Sequence, residues 1–269
     1  MRRDKNMDKK QEIQDEVQLI QDLFDGIDNG DFNNFGETSD KYTFKYLKAI
    51  WDLQTVLDGG KELYKQIYEI AIKCGIRHVQ QKYKTGRKIK VAFLTISAAE
   101  WPAESVYRLL KMNENVEAYL VVGPLIDRSV ENMEDAFEKT ASFFEKRGYD
   151  VRRAYDSKNK KVRLWEEIGK PDIVIHLTHW YKSLPEEYQI ENYPFTILNC
   201  YIPYAMSLAD NAKGTFMINS SNNSMFLNMM WHIYTDTMYH YEGYREYQLL
   251  GGENVVFTGF PKMDFFYNK

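Results

Sequence analysis

The sequence predicts an α/β fold: a Rossmann-like, doubly wound, mostly parallel sheet preceded by an α-helical segment. From Ile89 onward, short apolar runs alternate with segments of helical spacing, the pattern of βαβ units with right-handed crossovers. Two of these runs, Ile173–Leu177 and Thr196–Cys200, are too short for helices and are bounded by turn residues, as strands buried on both faces are. Groups able to bind or react follow each run directly: His176, Thr178, His179 and Trp180, then Tyr201, Pro203 and Tyr204. Ligands of an open α/β sheet sit beyond the carboxyl ends of its strands, so this order marks a cleft.

The chain begins with helical patterns, assigned to residues 1–85 as an amino-terminal extension. Ile13, Val17, Ile20, Phe24 and Ile27 alternate steps of four and three and predict a helix from about Asp8 to Phe24. GIDNGDFNNFGETS is a loop by composition; Ile27 and Gly36 fall where a calcium loop needs ligands, so calcium is rejected. A second helix is expected after Ser39 or Asp40, ending at Gly59-Gly60, and a third from Lys61 to Lys73 or somewhat beyond. The α/β domain is assigned to residues 86–259, opening with the strand IKVAFLTI. Further strands are expected at Ala118–Val122, near Val151–Tyr155, near Phe216–Asn219 and at Asn254–Gly259. Helices are expected at Pro102–Met112, Val130–Arg147, Val162–Ile168 and through Met225–Ile233. In doubly wound order, Ile89–Ile96 is central and Ile173–Leu177 is its neighbour across the switch point. That order would bring Ser97, Glu100 and Trp101 beside His176, His179 and Trp180.

Composition narrows the function classes. A chain of 269 residues buries about three quarters of its unfolded surface, enough for a core without staples. Its formal net charge of -4 offers nucleic acid no bulk attraction. Cys74 and Cys200, both in apolar surroundings, read as reduced core thiols of a cytoplasmic protein rather than a disulfide or zinc framework. The charged start lacks a signal-peptide apolar region, and no apolar run approaches the ~20 residues of a membrane helix.

Several motifs are absent. The turn TISAAEW after the first strand has no glycine, so no dinucleotide fingerprint and no cofactor are expected; P-loop spacing and the Gly-x-Ser-x-Gly elbow are also missing. His176 and His179 have metal-like spacing, but at strand period they point to opposite sides and no third ligand is near, so no metal is expected. His176 reads as a satisfied core histidine. His179 reads equally as a hydrogen-bonding or general-base group or as a polar loop residue. Glu100 is a second base candidate or a carboxylate favoured by a helix dipole. Trp101 and Trp180 either stack a ligand or pack a core. The basic run from Arg152 to Arg163 reads as a solvated face, or else as a contact for an anionic polymer or lipid.

Three stretches together resemble the CDP-glycerol glycerophosphotransferase-like family of teichoic acid and capsular polymer synthesis. They are VAFLTISAAEWPAESVYRLL, then DIVIHLTHWYKSLPEEYQIENYPFTILNCYIPYAM, then NVVFTGFPKMD. The matching positions are Trp101, Ser105 and Tyr107; Trp180, Leu184, Pro185 and Tyr188; Tyr201, Pro203 and Tyr204; and a hinge of Thr258, Gly259, Phe260, Pro261 and Lys262. The resemblance covers residues 89 to 264. It implies a two-lobed B-type glycosyltransferase fold, with the acceptor on this lobe and a CDP-activated donor on a carboxyl-terminal lobe. Residues 260–269 are then a hinge toward a lobe that this chain does not contain. In one respect the chain departs from the family: no histidine lies between Tyr193 and Met206, where many members carry the presumed base.

The resemblance implies an acceptor-binding lobe, inactive by itself, for cell-surface polymer synthesis at the inner face of the membrane. Its partners would be a polymer or lipid-linked acceptor, with peripheral membrane contact and no nucleic acid. Expected catalytic residues are His179 and Glu100. Expected acceptor-binding residues are Ser97, Trp101, Ser105, Thr178, Trp180, Tyr201, Pro203 and Tyr204, with Gly259, Pro261 and Lys262 at the hinge. Two alternatives share the fold: a noncatalytic binding or assembly module, and a sugar-nucleotide epimerase-like enzyme.

Overall fold

The structure, a computed structural model, describes residues 15–26, 41–55, 59–205 and 221–267. Its centre is a seven-stranded parallel sheet built from β1 (Ile89–Thr95), β2 (Val116–Val122), β3 (Val151–Arg153), β6 (Ile173–His176), β7 (Leu198–Tyr201), β8 (His232–Thr235) and β9 (Val255–Phe257). Their spatial order is β3-β2-β1-β6-β7-β8-β9, the doubly wound arrangement, with β1 pairing with both β2 and β6. The switch point therefore falls between the two strands that the sequence places there. A short antiparallel pair, β4 (Tyr155–Asp156) and β5 (Lys161–Val162), stands apart from the sheet.

Strand alternation sends side chains to two cores. Val91 and Phe93 of β1, with Ala118, Leu120 and Val122 of β2, pack under α4 (Glu104–Met112) and α5 (Val130–Glu145). Ala92 and Leu94, Tyr119 and Val121, and Val174 and Tyr201 face the other way. They share one cluster with α2 (Lys45–Leu53), α3 (Gly60–Lys84) and α6 (Met238–Tyr247), and with a helical stretch over residues 15–26, α1. The amino-terminal helices thus form a helical layer of the α/β unit rather than a separate core. No described helix is long and apolar enough to cross a membrane.

Helix α3 runs eleven residues beyond Lys73 because Gly75 serves packing, not termination. A Cβ at Gly75 would lie 2.5 Å from the Leu198 side chain and 3.1 Å from the Phe195 carbonyl oxygen, so the helix backbone rides directly on β7. Asp172 completes the attachment at the amino end of β6. One carboxylate oxygen accepts hydrogen bonds from His78 Nε2 at 3.0 Å and Lys82 Nζ at 2.7 Å; the other accepts from Lys82 Nζ and the Lys90 N–H, both at 2.7 Å. Burial alone would raise this carboxyl's pKa, but the hydrogen bonds from His78, Lys82 and Lys90 outweigh it and hold the pKa below its ordinary value.

The main correction to the sequence reading concerns residues 225–247. The helix expected through Met225–Ile233 is a single turn, Met225–Asn228, followed by strand β8 and then α6. Val151–Tyr155 likewise divides into β3 and β4. His-Ile-Tyr-Thr is too short to show strand alternation, and its pairing with β7 and β9 is what makes it a strand. The strand expected near Phe216–Asn219 and the loop following Gly26 lie outside the described residues.

The basic run is neutralised in part. Arg152 pairs with Glu117, Arg153 with Glu138 at 2.6 Å and Glu145 at 2.8 Å, Lys161 with Glu167 at 3.3 Å and Arg163 with Asp156 at 3.4 Å. Lys158 and Lys160, in the turn between β4 and β5, are exposed.

Two stability measurements check these packing arguments. Gly75→Ala gains about 1 kcal/mol of helix propensity and loses more to overpacking, so urea denaturation should show a net loss of about 1–2 kcal/mol. Asp172→Asn leaves the half-sequestered Lys82 cation without its counter-ion and should cost about 3 kcal/mol. Since the folded pKa of Asp172 is depressed, its contribution is present above the ordinary carboxylate range and lost as pH falls through the folded value. The variant's stability should fall less steeply in acid than the parent's.

Candidate functional site

At the carboxyl ends of the strands, His179 from the loop after β6 reaches the Tyr201 hydroxyl of β7, and Glu100 after β1 and Asp236 after β8 act on that hydroxyl electrostatically. Tyr201 closes β7, and burial pushes its pKa well above the ordinary value, helped by Tyr244, Tyr204, Asp236 and Glu100 around it. His179, three residues past the end of β6, places Nδ1 3.4 Å from the Tyr201 hydroxyl. Burial lowers the imidazole's pKa, so near neutral pH the ring is uncharged and can accept that hydroxyl's proton bond. Its ring lies 4.2 Å from that of Trp180, which is 53% exposed and offers an open aromatic surface beside the histidine.

Local turns aim these groups. Ser97 caps the short turn Ala98–Glu100, its Oγ accepting the Ala99 N–H at 3.3 Å, while Thr95 donates to the Ser97 carbonyl at 3.1 Å. That turn presents Glu100, whose Oε2 is buried with no hydrogen-bond partner. Burial raises the Glu100 pKa, against the pull of Arg128 and Lys262. On the β6 side, Thr178 accepts the Trp180 N–H at 3.2 Å and fixes the loop that carries His179.

The structure adds a carboxyl that sequence reasoning missed. Asp236 follows β8; its Oδ1 lies 2.7 Å from His240 Nδ1, and its Oδ2 is buried with no partner. Thr237 caps α6 by accepting the His240 N–H at 3.2 Å, which fixes the Asp236–His240 pair at the helix start. The available signal was Asp-Thr ahead of a helix-period segment, obscured because β8 itself was read as helix. A buried polar atom without a partner costs about 1–3 kcal/mol; among the described residues the carboxyl oxygens of this kind are Glu100 Oε2, Glu191 Oε2 and Asp236 Oδ2.

The residues expected at a hinge lie close by. Gly259 adopts φ +80°, a conformation that favours glycine, and the Thr258 and Gly259 N–H groups both reach the Thr235 carbonyl, at 3.1 and 3.2 Å. Pro261 opens a short helical turn, from which Lys262 donates to the Tyr204 carbonyl at 3.2 Å. Pro203, next to Tyr204, is partly exposed.

Other expected site residues have different surroundings. Trp101 packs edge-on against Phe93, Tyr107, Phe144 and Tyr149 in the core under α4 and α5, and its N–H donates to Glu104 at 2.8 Å. Its ring belongs to the opposite face of the sheet from Tyr201. Ser105 donates to Asp264 at 2.6 Å and so ties α4 to the residue after the Pro261–Met263 turn. His176 is buried, its Nε2 donates to Asn199 Oδ1 at 3.1 Å and its ring stacks on Tyr193; burial lowers its pKa to about 4. Burial pushes both thiols, Cys74 and Cys200, up to about 12. Among the described residues no cluster of three His, Cys, Asp or Glu side chains is arranged to hold a metal.

Two concavities lie away from the strand tips. A groove of about 820 Å³ runs between α1, α2 and residues 182–192, and a pocket of about 300 Å³ surrounds Asp172. In the groove, Lys48 pairs with Glu16 and Asp52, and Lys182 with Glu191. The strand tips hold His179, Tyr201, Glu100 and the Asp236–His240 pair, the acid–base groups from which the candidate site is built. No protein-family model, curated protein or solved structure matches this chain.

His176 supplies a pH test of this geometry. The unfolded chain takes up its proton near pH 6.5 and the folded chain only near pH 4, so stability is complete above that range and falls with acidification. Denaturation curves should lose roughly 2 kcal/mol between pH 6.5 and 5 on this account, and His176→Gln should flatten that slope.

Proposed function

We propose that this chain is the acceptor-binding lobe of a glycerophospho- or glycosyltransferase that builds a cell-surface polymer at the cytoplasmic face of the membrane. One observation supports the reading: half-buried His179 lies against the buried Tyr201 hydroxyl at the strand tips, with Glu100 and Asp236 acting on that hydroxyl, beside a segment held by Lys262 and Asp264. An uncharged, partly desolvated imidazole is suited to take a proton from an acceptor hydroxyl. Glu100, with its pKa raised by burial, is the second group of that kind. Exposed Phe257 and Met263 beside the hinge supply apolar surface for a second lobe.

In the complete enzyme the acceptor hydroxyl would lose its proton to this base and attack the donor in line. For glycerophosphate transfer, a new O–P bond forms at the β-phosphorus, the bond to the CMP leaving group breaks, and CMP departs. Holding the hydroxyl in line is this lobe's contribution, an entropic advantage, whereas charge stabilisation at the phosphates falls to the donor lobe.

The test is a pair of measurements on the purified chain. It should bind an oligo(glycerol phosphate) acceptor in calorimetry, with binding weakened about tenfold by Trp180→Ala, and should release no CMP from CDP-glycerol. Turnover by the chain alone, or tight CDP-glycerol binding with no acceptor binding, would contradict the proposal.

A further inference from the structure

At the other end of the sheet from the strand tips, the cavity of about 300 Å³ lies between the carboxyl end of α3 and the loop before β6. Its wall carries three cations, Lys82, Arg87 and Lys170, with His78 beside them, and one carboxylate, Asp172. Local backbone geometry gathers the cations there. Helix α3 ends at Gly86, which adopts φ +72°; the Gly86 N–H donates to the Tyr83 carbonyl at 3.0 Å and the Arg87 N–H to the Lys82 carbonyl at 3.1 Å. This glycine cap turns the chain back and sets Arg87 at the cavity. Lys170 comes from the opposite wall, between Gly169 at φ +95° and Pro171, in the loop that leads into β6.

The charges of this wall do not balance. Three cations against one carboxylate leave two positive charges in excess, and Asp172 already has both oxygens engaged by His78, Lys82 and the Lys90 N–H. Glu117 also acts on Lys82, but it pairs with Arg152. The carbonyl end of a helix opposes an anion, yet here the Lys82 and Tyr83 carbonyls already accept from Arg87 and Gly86. A recess lined by one sign of charge concentrates its field on a counter-ion. We infer that this cavity binds a small oxyanion carrying two or more negative charges, held between the Arg87 guanidinium and the Lys170 ammonium. The planar fork of an arginine suits paired oxygens, as in linked phosphates or a polycarboxylate. The volume is at the lower end for small-molecule sites, which favours a compact ligand. This site is separate from the strand tips and does not depend on the acceptor-lobe reading. It adjoins the contacts of Asp172 with α3 and β1, so an anion bound only by the folded chain stabilises that junction.

The experiment titrates the full chain with pyrophosphate and with tricarballylate, in metal-free buffer, against sodium chloride at the same ionic strength. At least one of the two oxyanions should raise the melting temperature by about 3–6 °C over the chloride control. Whichever binds assigns the phosphate or the carboxylate class. In calorimetry, Arg87→Gln and Lys170→Gln should each weaken that anion at least about fivefold. A Lys158→Gln, Lys160→Gln double variant, which removes exposed cations elsewhere, should bind like the parent. A readout on the unsubstituted chain comes from nuclear magnetic resonance: the imidazole signal of His78, one of five histidines, should move on titration while that of buried His176 stays in place. No binding of either oxyanion, parent-like affinity in both pocket variants, an equal loss in the Lys158 and Lys160 variant, or an unmoved His78 signal at saturation would overturn the inference.

Discussion

The carboxylate of Asp172 is the constraint from which the rest of the architecture follows. Through side chain and backbone together it touches three elements beside β6, which it immediately precedes: α3 by His78 and Lys82, β1 by the Lys90 N–H and carbonyl, and β7 through the Leu198 N–H. At 3% side-chain exposure the anion would be costly if unpaired, so its partners must be present whenever the domain is folded. This aligns the amino ends of β1, β6 and β7 and lays α3 across them. Gly75 then allows the helix to lie against β7 without a gap. With the amino ends aligned, parallel pairing fixes where the opposite ends emerge.

At those opposite ends the balance is reversed. Both oxygens of Asp172 are hydrogen-bonded, whereas among the described residues Glu100 and Asp236 each keep one buried oxygen without a partner. The first arrangement stabilises the fold; the second leaves hydrogen bonds unmade. The two histidines of the His-x-x-His sequence divide in the same way. His176 is paired with Asn199, stacked on Tyr193 and inert, while His179 meets only a tyrosine hydroxyl and an exposed indole. Two residues separate them, and the end of β6 is what gives them different surroundings.

Much of this was legible before any coordinates. Short Val- and Ile-rich runs between helical segments identify a parallel sheet, and the apolar run IKVAFLT identifies its centre, because strands buried on both faces tolerate few polar residues. The loop after each such run identifies the strand tips, and His179, Tyr201 and Glu100 do meet there. Trp101 shows the limit of that reasoning. It lies one residue from Glu100, but the short turn between them sends its ring into the aromatic core under α4. Position in the chain placed it at the site, and side-chain direction removed it.

By itself, the sequence determined the elements whose burial pattern is complete within their own length: the strands at the switch point, the long helices and the turn residues between them. Only tertiary structure decided what depends on a neighbour. β8 is a strand because β7 and β9 flank it, α3 continues through Gly75 because Leu198 and Phe195 leave no room for a side chain, and Asp236 belongs to the cleft because β8 ends there. A four-residue strand carries too few alternations to declare itself, and a hydrogen bond left unmade can be recognised only after every possible partner has a position.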